Sequence, residues 1–500
     1  MNIAQLALTS LTAGEHVSII FEGKEYTNVQ MDIAARKLGN ALKKLGVKRG
    51  DRIILQMPNS PETLQAFQGI WKMGAVAVPI NYQIGAEETA YIYQDSQANT
   101  VITAPEFMGK VHMAQVQSPG VKNIIVVSEK QMEGTLSFVK LLKESSDKLE
   151  IVQTGDNEVA ALVYTSGTTG KPKGVMQTHY GLYYTAIKVQ ETNNYSMEAI
   201  NVVMLPLCHS YGIGIMNSSS LRTHGKTVVL RQFNVEQLFS AIEKYKVTSI
   251  AAVPTMYIYM LSYPDYAKFD LSSVKYFICG SAPLSIETWK QFKEKFGGEI
   301  AEGWGLTEAC ANNSCNPIDG LKKVGSIGLP MEGMEMKIFD DRDKELPQGK
   351  EGEIVLRGPM VMKGYWNQPQ ATAEIIRNGW LHTGDIGYAD AEGYFFITDR
   401  KKDIIIKGGE NISPRAIEEI FYAHSCIAEA AVIGITDKVY GEDIKAFVVL
   451  KPGKKATPDE MMEYCRGKLK SFFVPKEVVI LSAMPKTLVG KILKKELRKM

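Results

Sequence analysis

Cysteine is scarce in this sequence. There are six in 500 residues, with no Cys-x-x-Cys pair and only Cys310 and Cys315 close together. That excludes a disulfide framework and a clustered zinc site, and it suits the reducing cytoplasm. No targeting leader is expected either: Met1 to Ala13 has neither a basic start nor a long apolar centre. No window approaches the roughly 20 apolar residues that a bilayer-spanning helix needs, so neither secretion nor membrane spanning is expected. Charge of one sign is also lacking. The 57 Lys and Arg against 55 Asp and Glu leave a formal net charge of +2, which creates no field to draw in nucleic acid or an acidic membrane. Internal repeats and low-complexity tracts are absent.

What is present is the composition of a globular protein, 45% hydrophobic and 22% charged. At this length a single core gives way to two or more domains. Strand-like runs at His16 to Phe21, Ile53 to Gln56, Ala75 to Val78, Thr100 to Ala104, Asn123 to Ser128 and Ala160 to Tyr164 alternate with helical periods. Helix starts are marked by Thr27-x-x-Gln30, by Ser60-Pro61 and by Asn234-x-x-Gln237. The pattern predicts two helix-covered, largely parallel sheets in an α/β domain. From about residue 325 to 399 the texture turns to short β-type runs between Gly, Pro and Asp turns, a small β subdomain. Beyond Arg400 a compact α+β pattern follows.

The most informative stretch follows the run Ala160 to Tyr164: Thr165-Ser166-Gly167-Thr168-Thr169-Gly170-Lys171-Pro172-Lys173-Gly174. Glycines let the backbone turn N–H groups towards an anion, the Ser and Thr hydroxyls add donors, and Lys171 and Lys173 add charge. It is a phosphate-handling design but not a Walker A loop. Only two residues separate Gly167 from Gly170, and Pro172 follows Lys171.

This stretch resembles the signature loop of the adenylate-forming superfamily, which includes AMP-forming acyl-CoA synthetases, the adenylation domains of peptide synthetases and firefly-type luciferases. Further motifs occur in that superfamily's order as far as the C-terminus. Gly303-Trp304-Gly305-Leu306-Thr307-Glu308 is similar to its aromatic-Gly-x-Thr-Glu motif. The resemblance implies that Trp304 stacks on adenine, Thr307 bonds the α-phosphate and Glu308 helps hold Mg²⁺, as a hard carboxylate oxygen suits. Gly280-Ser281-Ala282-Pro283 resembles the segment lining the adenine and acyl sites. Asp385 and Arg400 match its ribose contacts, and Lys402 matches the hinge. Gly408 and Gly409 resemble the wall of the tunnel that admits the pantetheine arm of coenzyme A. His209, in Leu205-Pro206-Leu207-Cys208-His209-Ser210-Tyr211-Gly212, matches a positioning or gating residue at the acyl site. Lys491 matches the catalytic lysine, a cation that offsets the repulsion between a substrate carboxylate and a phosphate.

The resemblance therefore implies an AMP-forming carboxylate-CoA ligase using ATP, Mg²⁺ and coenzyme A. An adenylation domain of residues 1–399 would be followed by a mobile domain of residues 400–500, with the hinge at Lys402. A stand-alone enzyme loading a carrier protein and a luciferase-like oxygenase share most of these motifs and stay open as alternatives. The partners expected are small molecules, without nucleic acid. Acetate-activating relatives carry Trp where this chain has Gly305. The missing indole is read as opening room for a cyclic, aromatic or medium-chain acid, lined by Tyr211, Met216 and Gly280.

Overall fold

A computed structural model describes residues 1–165, 171–192, 198–219, 225–488 and 490–500. Helices form where a cap precedes an apolar period. Ahead of the helix Asn28–Lys44, Thr27 and Gln30 complete a reciprocal capping box. Ahead of Pro61–Lys72, the Ser60 hydroxyl accepts from the Thr63 N–H at 3.2 Å; each such cap contributes about 1 kcal/mol. The helix Pro61–Lys72 is buried at every position but Glu62, so it lies inside the molecule and not on a surface.

Two sheets organise the larger part of the chain. The first runs Leu136–Ser137, Asn123–Val126, Thr100–Thr103, Arg52–Gln56, Val76–Pro79, Val159–Thr165, Lys173–Thr178. All its neighbours are parallel except the last pair. The second runs Leu329–Pro330, Ser314–Cys315, Ile300–Trp304, Tyr276–Cys279, Ser249–Ala252, Ile200–Val203, Lys226–Val229, Val17–Phe21, Lys24–Thr27. Its middle is parallel and its two ends are antiparallel. One hydrophobic core joins both sheets and reaches from Ile3 to Phe395.

A small antiparallel sheet built on Glu335–Phe339, Gly352–Arg357 and Trp380–Ala389 follows, with Phe395–Arg400 paired to Trp380–Ala389. After it comes a separate sheet built on Ile405–Lys407, Ile427–Asp437, Gly441–Leu450 and Glu477–Leu481, with helices Pro414–Tyr422 and Pro458–Arg466. Among the described residues, its core, around Ile417, Phe421, Val432 and Met461, takes nothing from before Ile405. This is the expected α/β architecture with a small α+β unit at the C-terminal end.

Gly303 and Trp304 are the last residues of the strand Ile300–Trp304, because Cys315 and Ser314 pair antiparallel with them and extend it. The phosphate-type stretch leaves a strand as expected, but Lys173–Thr178 returns beside Val159–Thr165 as an antiparallel hairpin. Residues 166–170, in the connection, lie outside the described residues.

Candidate active site

The C-terminal ends of the parallel strands, where open α/β sheets take their ligands, open into a cavity of about 1150 Å³. Thr165, Lys173, His209, the segment Gly280 to Pro283, Gly303 to Gly305, Thr307, Glu308, Asp385, Arg400, Lys402 and Lys491 all line it. Residues far apart in the chain thus share one hollow. A second cavity, about 650 Å³ between Tyr266, Phe296 and Ile318, contains none of these motif residues.

Asp385 anchors one wall. Strand pairing sets it opposite Arg400, whose Nε donates to its Oδ1 at 2.6 Å, while Trp304 Nε1 donates to its Oδ2 at 2.9 Å. The carboxylate is almost fully buried, yet each oxygen keeps a lone pair for a further donor. The indole is held by its edge, which fixes the plane of the ring. Ser281, which also lines the cavity, adopts a left-handed backbone with φ of 75°, a conformation that a non-glycine residue takes at some cost.

The phosphate-type residues form a second wall, tied by a side chain that no motif flagged. Gln177, fully buried on the returning strand, donates through Nε2 to Ser210 Oγ at 2.6 Å and to the Thr307 carbonyl at 2.8 Å. It joins the hairpin, the start of the helix Ser210–Ser219 and the Thr307–Ala309 turn at one point. Glu308 accepts through Oε1 from the Tyr365 hydroxyl at 2.9 Å. Among the described residues no ion pair uses Glu308, and no cluster of three acidic, His or Cys side chains is arranged to hold a metal. That donor set suits Mg²⁺, which keeps several waters and takes one carboxylate together with phosphate oxygens. Glu308 would hold it, and the ion would supply charge neutralisation on the phosphates.

Lys491 enters from the C-terminal unit. Its loop is closed by the Gly490 N–H donating to the Thr487 carbonyl at 2.8 Å and the Thr487 N–H donating to the Lys491 carbonyl at 2.9 Å. Gly490 has φ of 77°, and a Cβ there would sit 2.2 Å from Thr255 Oγ1. Only glycine lets the loop seat so closely. Surrounding protein, with the Arg400 charge next, pushes the Lys491 ammonium down to about 8, although water reaches the side chain through the open cleft. Burial, helped by Lys491, lowers His209 to about 4. Its Nδ1 accepts from the Tyr211 N–H at 3.3 Å, which requires a ring unprotonated there.

Three expected residues lie elsewhere. Lys171 is exposed outside the cavity, its ammonium 5.1 Å from the Tyr91 ring centre. Gly408 and Gly409 form the turn between Ile405–Lys407 and Glu410–Ile412, with φ of 56° and 87°, and do not reach the cavity. Ser166, Gly167, Thr168, Thr169 and Gly170 lie outside the described residues.

The space argument at Gly305 needs correction. A Cβ there would lie 2.2 Å from the Ala311 carbonyl oxygen and 2.6 Å from the Asn312 nitrogen. Backbone already fills the place of the missing side chain, so Gly305 opens no room. Tyr211 and Gly280 do line the cavity, with the Tyr211 ring 3.4 Å from where a Gly280 Cβ would be. Met216 is buried in the core and does not.

A hollow that gathers an indole ring, a buried carboxylate, a lysine-bearing hairpin and a second lysine from a separate unit matches a recognised class. The chain belongs to the AMP-binding enzyme family, whose model matches residues 9–366, with the AMP-binding enzyme C-terminal domain matching residues 416–491. Within that family it groups with AMP-forming acid-thiol ligases. It is 36% identical to a long-chain-fatty-acid–CoA ligase of Bacillus subtilis (strain 168), over 97% of this chain and 91% of that protein. It is 33% identical to a feruloyl-CoA synthase of Amycolatopsis sp, over 95% and 94%. Among solved structures, the anthranilate CoA ligase AuaEII in complex with anthranoyl-AMP superposes with a TM-score of 0.94, at 29% identity over 100% of this chain and 97% of that one.

Proposed function

We propose that this chain joins a cyclic, aromatic or medium-chain carboxylic acid to coenzyme A in two half-reactions at one site. In the first, a carboxylate oxygen attacks the α-phosphorus of ATP, the bond to the β-phosphate oxygen breaks, and pyrophosphate leaves. In the second, the coenzyme A thiol loses its proton and attacks the activated carbonyl, and AMP leaves. Trp304 stacks on adenine, Asp385 and Arg400 hold the ribose, and Thr165, Lys173 and Thr307 bind phosphate. Lys491 lies between carboxylate and α-phosphate, and its charge offsets their repulsion as the new bond forms. His209, neutral above about pH 4, borders the acyl end and orients the acid.

The observation carrying this reading is that Lys491, on a separately cored unit, lines the same cavity as Asp385 and Thr307. A residue needed only for the first half-reaction sits on the part of the chain that is able to leave. Rotation of residues 400–500 about Lys402 would withdraw it and bring Gly408 and Gly409 to the cavity for the thiol. The aromatic part of the acid class is supported by relatives named for ferulate, coumarate and anthranilate. It is also supported by the apolar flank of the cavity at Tyr211, Leu306, Ile327 and Met331. The deciding experiment is AMP release with and without coenzyme A across acetate, hexanoate, cyclohexane carboxylate, benzoate and 4-coumarate. Acetate as the best substrate rejects the acid class, and AMP release indifferent to coenzyme A rejects the ligase.

A further inference from the structure

Residues 362–366 form a strap between the two halves of the phosphate wall. On one side the Met362 N–H donates to the Glu308 carbonyl at 2.8 Å. On the other, the Lys363 N–H donates to the Met176 carbonyl at 3.0 Å and the Trp366 N–H to the Gly174 carbonyl at 2.8 Å. The strap arrives from the strand Gly352–Arg357 of the small β sheet, so a separate layer reaches back to the hairpin and the Thr307–Ala309 turn. Tyr365 sits in the middle of it. Its hydroxyl donates to Glu308 Oε1 at 2.9 Å, and its ring face carries the Lys173 ammonium 4.9 Å from the centre.

We propose that Tyr365 is a positioning residue that sets both charged partners of the nucleotide phosphates, aiming Glu308 at a divalent cation and seating Lys173. The proposal rests on the reading of Glu308 as the cation's carboxylate and Lys173 as a phosphate ligand. The hydroxyl bond on Oε1 fixes the carboxylate's orientation and leaves Oε2 with both lone pairs, so that Glu308 would offer an ion one unencumbered oxygen, as suits Mg²⁺ that keeps its waters. Outer hydrogen bonds of this kind orient metal ligands, and losing one costs about 10–100-fold in metal affinity. The ring does something different for Lys173. A carboxylate there would take up the ammonium's charge and donors, whereas a π face attracts the cation and leaves its N–H groups for phosphate. One side chain therefore fixes the spacing between an anionic and a cationic group on opposite sides of the same ligand.

A purely structural role is the competing explanation, since Tyr365 is buried beside Val175 and Met362. The test separates them with the full-length protein, using Mn²⁺ as the probe ion and ATP as the ligand. Mn²⁺ affinity of the protein–ATP complex is read by electron paramagnetic resonance, and metal-free ATP affinity by calorimetry in chelator. Tyr365→Phe keeps the ring and its packing; it is expected to weaken Mn²⁺ binding about tenfold or more and to leave metal-free ATP binding unchanged. Tyr365→Leu is expected to weaken metal-free ATP binding as well, because Lys173 loses its seat. Wild-type Mn²⁺ affinity in Tyr365→Phe overturns the role towards Glu308. Equal metal-free ATP affinity in the Phe and Leu variants overturns the role towards Lys173. Glu308→Gln is the control: if it keeps full Mn²⁺ affinity, the reading of Glu308 itself fails, an outcome distinct from a failure of Tyr365→Phe alone.

Discussion

The two sheets of the large part and the unit after residue 400 are joined to their surroundings in opposite ways. Around the two sheets, Phe67, Trp71, Phe239 and Tyr257 are fully buried in one continuous core that includes residues of both. Between the C-terminal unit and the rest, the described residues make polar contacts. The Ile286 N–H donates to Glu419 Oε2 at 3.3 Å, Arg415 donates to the Ile397 carbonyl at 2.6 Å, Thr255 Oγ1 donates to the Gly490 carbonyl at 3.5 Å, and Lys486 lies 5.4 Å from the Tyr259 ring centre. A packed apolar interface resists separation in proportion to its area. Polar contacts exchange for water at little net cost. Under the proposed rotation about Lys402 the first interface stays shut and the second comes apart.

Breaking the comparison begins with the permanent interface. Phe67→Ala should lower unfolding free energy by about 3–5 kcal/mol, measured by urea unfolding followed through tryptophan fluorescence. A loss below about 1 kcal/mol would mean that the site is not a closely packed core. Next, Lys491→Ala should slow acyl-adenylate formation by about 10²–10³-fold, the cost of one transition-state donor. Thioester formation from supplied acyl-AMP should persist, and equal loss of both half-reactions would reject the lysine's assignment. The same lysine sets a pH limb. Its folded pKa is depressed to about 8, so the ammonium proposed to serve adenylation is present below that value and is lost as pH rises through it, well before an ordinary lysine deprotonates. The kcat/KM for adenylation should fall on the alkaline side with a midpoint near pH 8. His209, lowered to about 4, adds no acidic limb above pH 5.

Lys402→Pro tests the separable interface by fixing φ near about −65°. Pyrophosphate exchange should survive while acyl-CoA production falls by about tenfold, taking part of the range that a lost positioning step costs. Unchanged turnover would refute the hinge. The smallest effect is expected from Glu419→Gln at the polar interface. Stability should change by no more than about 0.5 kcal/mol, and a loss comparable to that of Phe67→Ala would erase the distinction between the two interfaces.

Legibility followed the range of the interactions. Local capping chemistry located the starts of the helices Asn28–Lys44, Pro61–Lys72 and Val235–Tyr245 within a residue. Most parallel strands were readable as short apolar runs. The antiparallel partners of Gly303–Trp304 and of Val159–Thr165 were not, because pairing depends on segments that carry no mark of their partner. The motif residues of the cavity were legible through resemblance. Gln177 and Tyr365 were not: each acts through a side-chain bond spanning many residues, 130 from Gln177 to Thr307 and 57 from Tyr365 to Glu308. Gly305 shows the reverse failure, a residue whose absent side chain suggested a void that distant backbone had filled.

The strand Val17–Phe21 lies inside the nine-stranded sheet, between Lys24–Thr27 and Lys226–Val229. On a ribosome this early strand emerges with its hairpin partner but waits about 200 residues for the other, roughly 10–40 s at about 5–20 residues per second. Through that interval one edge of an apolar strand is open to other nascent chains. The short charged hairpin arm Lys24-Glu25-Tyr26-Thr27 covers only the opposite edge. Yield on expression should therefore respond more to translation rate and chaperone supply than to the stability of the finished fold.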